Sequence, residues 1–138
     1  MTEFVSEVKT IPHSQDNVYK MLSDLSNLEK LREHIPADKV SNMSCDNDSC
    51  SFTVNPVGKQ TLRIVDREEN KTIKLTADNS PVPFFLWVQL VEAEPGTTKM
   101  KLTVRAELNP FIKTMVEKPL KEGIEKLAAI LASLPYNN

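Results

Sequence analysis

The chain has 138 residues, 40% hydrophobic and 26% charged, and its seventeen basic and nineteen acidic side chains leave a formal charge of -2. That length suits one domain, residues 1–138, with a core of its own, and the interspersed charges argue against a nucleic-acid or anionic-membrane surface. No apolar run approaches the roughly 20 residues that span a bilayer, and MTEFVSEVKT lacks the basic and apolar parts of a secretory leader, so a soluble cytoplasmic protein without stable membrane insertion is expected.

Phe4 to Ile11 reads as a strand. Pro12-His13-Ser14 breaks it, and Ser14 can cap a helix whose apolar face is Val18, Leu22 and Leu25. Ser26-Asn27-Leu28-Glu29 fits a capping box, which predicts a second short helix carrying Leu28, Leu31 and Ile35 before Pro36 ends it. From Lys39 to Leu108 the apolar period becomes two, interrupted at Asn47-Asp48, Asn55-Pro56-Val57-Gly58, Glu69-Asn70, residues 79–83 and Pro95-Gly96, so six more strands fit. Asn109-Pro110 then opens a long amphipathic helix with Ile112, Met115, Val116, Leu120, Ile124, Leu127, Leu131 and Leu134 on one face. Pro119 and Gly123 lie inside it, and a bend is expected near Met115 to Pro119; either it opens space beneath the helix with a close backbone approach at Gly123, or the helix merely curves around the sheet.

Turn chemistry predicts which side chains meet. A three-residue loop with left-handed Gly58 pairs Asn55 with Lys59 and sets Phe52 opposite Leu62. A two-residue turn at Glu69-Asn70 pairs Glu68 with Lys71, Ile64 with Leu75 and Leu62 with Ala77. A two-residue turn at Asn47-Asp48 sets Cys45 opposite Cys50 and Met43 opposite Phe52. In the last hairpin, Phe84, Leu86, Val88 and Leu90 face inward with Met100, Leu102, Val104 and Ala106, while Phe85, Trp87, Gln89 and Val91 face outward. That choice needs an odd-length loop at Pro95-Gly96, because a plain type II turn would send Trp87 and Gln89 inward.

Cys45 and Cys50 are the only cysteines. With only His13 and His34 as further soft ligands, they do not make a structural zinc site, which needs four ligands, and no metal or cofactor is expected. A cross-strand disulfide is geometrically open to a non-hydrogen-bonded pair. In a reducing cytoplasm two free, buried thiols are expected instead.

A strand, two short helices, six antiparallel strands and a long terminal helix resemble the START-like (SRPBCC, helix-grip, birch-pollen-allergen-like) superfamily, and within it the bacterial polyketide cyclase/dehydrase-like branch. The resemblance runs along the whole chain. It is carried by VSEVKTIPHSQDNVYKMLSDLSNLEK, GTTKMKLTV and LNPFIKTMVEKPLKEGIEKL. It implies an α+β helix-grip fold, a seven-stranded curved antiparallel sheet wrapped around the C-terminal helix, with an elongated cavity between them for lipids, polyketides or other apolar molecules.

The residues assigned to that cavity are Cys45, Cys50, Phe52, Gln60, Leu62, Ile64, Leu75, Leu86, Val88, Leu102, Val104 and Met115; tight core packing is the alternative for each. An enzyme of the cyclase type would need a general acid or base beside its substrate. Asp66, Gln60, Asn79 and His34 are the thin candidates, and no catalytic residue is assigned. A holder of a small hydrophobic ligand ranks first, a co-chaperone-like interaction module second and a polyketide cyclase/dehydratase-like enzyme third. The outward Phe85 and Trp87 support the second, and a homodimer through that sheet face is their simplest use.

Overall fold

The structure is a computed structural model that describes residues 2–30, 40–54, 58–78, 83–134 and 136. In chain order these form β1 (Thr2–Val5), β2 (Lys9–Ile11), α1 (Gln15–Leu22), α2 (Ser26–Lys30), β3 (Val40–Cys45), β4 (Ser49–Val54), β5 (Gly58–Glu68), β6 (Thr72–Ala77), β7 (Phe84–Glu94), β8 (Thr97–Ala106) and α3 (Pro110–Ser133). The strands build one antiparallel sheet in the order β1-β8-β7-β6-β5-β4-β3, and β2 also pairs with β8.

The sheet has eight strands rather than seven because the first predicted strand is broken at Ser6. The Ser6 backbone N–H donates to the Leu102 carbonyl at 2.8 Å, while its hydroxyl oxygen accepts the Leu102 N–H at 2.9 Å. A side-chain oxygen thus does the work of a ladder carbonyl, and β1 and β2 continue on either side of it along β8.

Ser14 caps α1 as expected, accepting the Asn17 N–H at 3.2 Å, and buries Val18, Leu22 and the following Leu25. The capping box at Ser26 does not form. Asp24 accepts both the backbone N–H and the hydroxyl of Ser26, and the Glu29 carboxylate instead accepts the Cys45 N–H at 3.0 Å. Leu31, His34, Ile35 and Asn79 lie outside the described residues.

The hairpin registers differ from expectation in ways that mostly cancel. Between β4 and β5, Val54 pairs with Gly58, Phe52 with Gln60 and Cys50 with Leu62. The loop is therefore one residue earlier than predicted, the partners slide by two, and every side chain keeps its face. Between β5 and β6 the loop holds three residues, with Asn70 in the left-handed region (φ 63°), and Glu68 meets Thr72. A bulge at Val65 then restores the expected pairs Ile64/Leu75 and Leu62/Ala77. Between β7 and β8, Pro95-Gly96 is a two-residue turn with Gly96 at φ 81°, as a type II turn requires of its third residue. Ala93 is left unpaired in a bulge, which supplies the odd count. Leu86, Val88 and Leu90 therefore point into the core opposite Val104, Leu102 and Met100, and Trp87 lies on the outer face opposite Thr103.

The concave face is closed by α1, Leu25 and the second half of α3. Along α3 only Ile124, Ala128 and Leu131 are buried, spaced four and three apart. Phe111 and Met115 are 76% and 65% exposed, so the predicted stripe meets the sheet only beyond Pro119. The helix runs unbroken through Pro119. Gly123 is exposed and a Cβ there would meet nothing within 4 Å, so it serves no close approach. Tyr136 folds back under the helix end, 1% exposed, its hydroxyl donating to the Leu131 carbonyl and its ring edge-on to His13 at 5.9 Å.

Candidate functional site: an apolar cavity under the terminal helix

Between sheet and helix lies a cavity of about 180 Å³. Its sheet wall is built by Met43, Cys50, Phe52, Leu62, Ile73, Leu75, Leu86 and Val88, and the opposite wall by Leu22, Leu25, Leu127, Ile130, Leu131 and Leu134. Each strand contributes alternate residues because the pleat sends every second side chain to the concave face. The β3 contribution depends on a bulge. Asn42 adopts φ 54°, a conformation asparagine tolerates better than most residues, so that Asn42 and Met43 together oppose Phe52 and Met43 reaches the cavity.

Six of the twelve residues assigned from sequence are brought together here: Cys50, Phe52, Leu62, Leu75, Leu86 and Val88. Ile64 and Leu102 are 6% and 0% exposed but belong to solid core away from the void, and Val104 packs beside them half-buried. Gln60 is half-buried opposite Phe52 and does not reach the cavity lining. Met115 is a correction: it stands in solvent on the first half of α3, two turns before that helix reaches the sheet. The helix residues that do line the void, Leu127, Ile130 and Leu131, follow i, i+3, i+4 spacing, and Leu134 joins them from the extended residue just past the helix end. That spacing was visible in the sequence, but it could not tell which end of a 24-residue helix meets the sheet.

Cys45 and Cys50 face each other as predicted, yet they are joined by a disulfide and are not free thiols. Asp46 N–H donates to the Ser49 carbonyl at 2.9 Å, which makes the next pair, Cys45 and Cys50, a non-hydrogen-bonded one with its backbones close together. The Cα atoms are 4.0 Å apart, and the Cys45 N–H that the ladder leaves free is the one Glu29 accepts. At the hairpin tip the Asp46 carboxylate accepts the N–H groups of Asp48 and Ser49, and these bonds hold its pKa below the ordinary aspartate value.

The candidate acid Asp66 is absent from the concave side. The bulge at Val65 turns it outward opposite Lys74 and brings Arg67 round opposite the buried Ile73. Arg67 donates to the Ser23 carbonyl at 3.0 Å, to the Asn47 carbonyl at 3.1 Å and to the Asp48 carboxylate at 2.7 Å. It ties the end of α1 to the tip of the β3–β4 hairpin at the rim. Among the described residues that line the void no side chain is ionisable, and no group of His, Cys, Asp and Glu could hold a metal ion.

No protein-family model matches the chain, and no curated protein matches it by sequence. Solved structures do match in shape. Norcoclaurine synthase from Thalictrum flavum, in complex with dopamine and hydroxybenzaldehyde, superposes with a TM-score of 0.73 at 15% identity, over 95% of this chain and 84% of that one. The di-domain ARO/CYC protein BexL of the BE-7585A biosynthetic pathway gives 0.74 at 13% identity, over 96% of this chain and 45% of its own. A START superfamily protein from Mycobacterium smegmatis gives 0.64 at 13% identity, over 96% and 99%. The described residues have the START-like helix-grip fold of these structures: an antiparallel sheet of eight strands with a long C-terminal helix laid along its concave side. No helix among the described residues is long and apolar enough to cross a membrane.

Proposed function

We propose that this protein holds a small hydrophobic molecule, of about the size of one aromatic ring, in the cavity between its sheet and the second half of α3. The observation that carries the reading is the void itself. Protein interiors are close-packed and leave few voids larger than a water molecule, whereas here about 180 Å³ lies unfilled against an apolar lining. The lining atoms lose contacts across that space, and a larger side chain at a position such as Leu127 would fill part of it.

The size supports a modest ligand. An apolar cavity of about 150 Å³ admits benzene, whereas drug-sized sites run from about 300 Å³. A lipid or polyketide would require α3 to swing outward. Norcoclaurine synthase, which shares the fold, is crystallised with single-ring compounds. Binding is favoured over catalysis because the described lining offers no acid or base to a bound substrate.

Native mass spectrometry of freshly purified protein tests retention directly. A melting series with toluene then tests fit: a ligand that binds only the folded state raises the melting temperature as its concentration passes its dissociation constant. Wild-type protein is expected to be stabilised by toluene and Leu127→Phe to respond much less. No retained molecule together with no toluene response in the wild type would end the holder reading.

A further inference from the structure

The convex face of the sheet carries a second depression, of about 360 Å³, lined by Glu3, Val5, Trp87, Gln89, Lys101, Thr103 and Arg105. Its floor is prepared. Thr103 is only 8% exposed although it points away from the core, and its hydroxyl donates to the Gln89 side-chain oxygen at 2.8 Å. The Trp87 and Phe85 rings lie 5.9 Å apart, tilted by 49°, with the Lys74 ammonium 4.4 Å from the Phe85 ring and 5.3 Å from that of Trp87, and the Arg105 guanidinium 5.7 Å from Trp87.

Positive charge is in excess around this hollow. Arg105 is engaged by Glu3 at 2.8 Å, and Lys74, at the rim over the two rings, has Asp66 as its cross-strand neighbour beyond ion-pair distance. Among the described residues no carboxylate lies within ion-pair distance of Lys101, so in a chain of net charge -2 the hollow and its rim set three cations against two carboxylates beside Trp87. A second copy of the chain is a poor occupant, because a two-fold interface sets the same patch, with the same excess of positive charge, against itself. An acidic partner meets no such penalty.

We propose that this outer hollow is a docking site for an acidic segment of another protein, with an apolar or aromatic side chain seated beside Trp87 and Val5 and carboxylates answered by Lys74 and Lys101. Cation–aromatic contacts already order Lys74, and Trp87 has the character of an interface anchor. The site is independent of the inner cavity, from which the sheet separates it.

The test is a selection of random twelve-residue peptides displayed on phage against the immobilised full chain, followed by titration of the enriched synthetic peptides against wild type, Lys101→Glu and Trp87→Ala. Lys101 is exposed, so its reversal leaves the fold intact and guards against a misfolded Trp87 variant. Enriched peptides are expected to combine aspartate or glutamate with an aromatic or large aliphatic residue, to bind about tenfold more weakly to either variant, and to weaken as salt is raised. Peptides with no acidic bias, or affinities that neither variant changes, overturn the proposal. So does sedimentation showing a wild-type dimer that Trp87→Ala abolishes, since a second copy would then be the occupant. Toluene binding in both variants should match the wild type, so loss of this site and loss of the inner one are read separately.

Discussion

Tyr136 illustrates what one buried phenol imposes on the fold. Burial raises its pKa well above the ordinary tyrosine value near 10. As pH climbs past about 10 the unfolded chain gives up that proton before the folded one does, so the contribution is fully present below pH 10 and drains away above it. Tyr136→Phe is expected to cost about 1 kcal/mol at pH 7, from the lost bond to the Leu131 carbonyl. It should also flatten the alkaline loss of stability, measured by urea unfolding from pH 8 to 11.5. A smaller slope remains from Tyr19, whose pKa burial also raises. Gly123 argues the other way. It is helical and exposed with open space where a Cβ would stand, so Gly123→Ala should stabilise by roughly 0.5–1 kcal/mol, a shift visible in the same titration at neutral pH.

Among the strands and helices, alternation was legible and count was not. Every inward residue of β6, β7 and β8 follows from period two, because a buried face enforces its own parity. Bulges are harder to foresee, since one extra residue at Val65 or Ala93 has no composition of its own. In the β5–β6 and β7–β8 hairpins the loop and the bulge offset each other, which is why Ile64, Leu86 and Trp87 land on the expected faces while Asp66 does not. Where no offset acts, the consequence is local and functional: Arg67 takes the rim position that parity assigns to Asp66. Arg67→Ala should therefore loosen the junction of α1 with the β3–β4 hairpin by about 1 kcal/mol, the usual range for a partly exposed charged contact. Amide exchange should accelerate at residues 46–49 and 23–25 and stay unchanged in β7 and β8. The same limit explains Met115. Helical period identifies a face, but only the reach of β1, β2 and β8 decides that α3 is buried from Ile124 onward.

The molecule as a whole has two kinds of interior, solid around β8 and hollow under α3, and one chemical change can tell them apart. Leu102 has no exposed surface and does not border the void, whereas Leu127 lines it. Replacing either with phenylalanine adds the same volume. At Leu102 the larger ring must displace Met100, Val88 or Ser6, and overpacking of this kind typically costs about 1–3 kcal/mol. At Leu127 the ring enters existing space and removes part of the cavity, which at roughly 24 cal/mol per Å³ returns about 0.5–1 kcal/mol. The two variants should therefore shift the urea midpoint in opposite directions at unchanged slope. Only Leu127→Phe should blunt the response to toluene, the exchange of binding for stability expected where a void is kept for use. Equal destabilisation by both would mean that the space under α3 closes in solution, and the cavity could then hold no ligand without the helix first moving away.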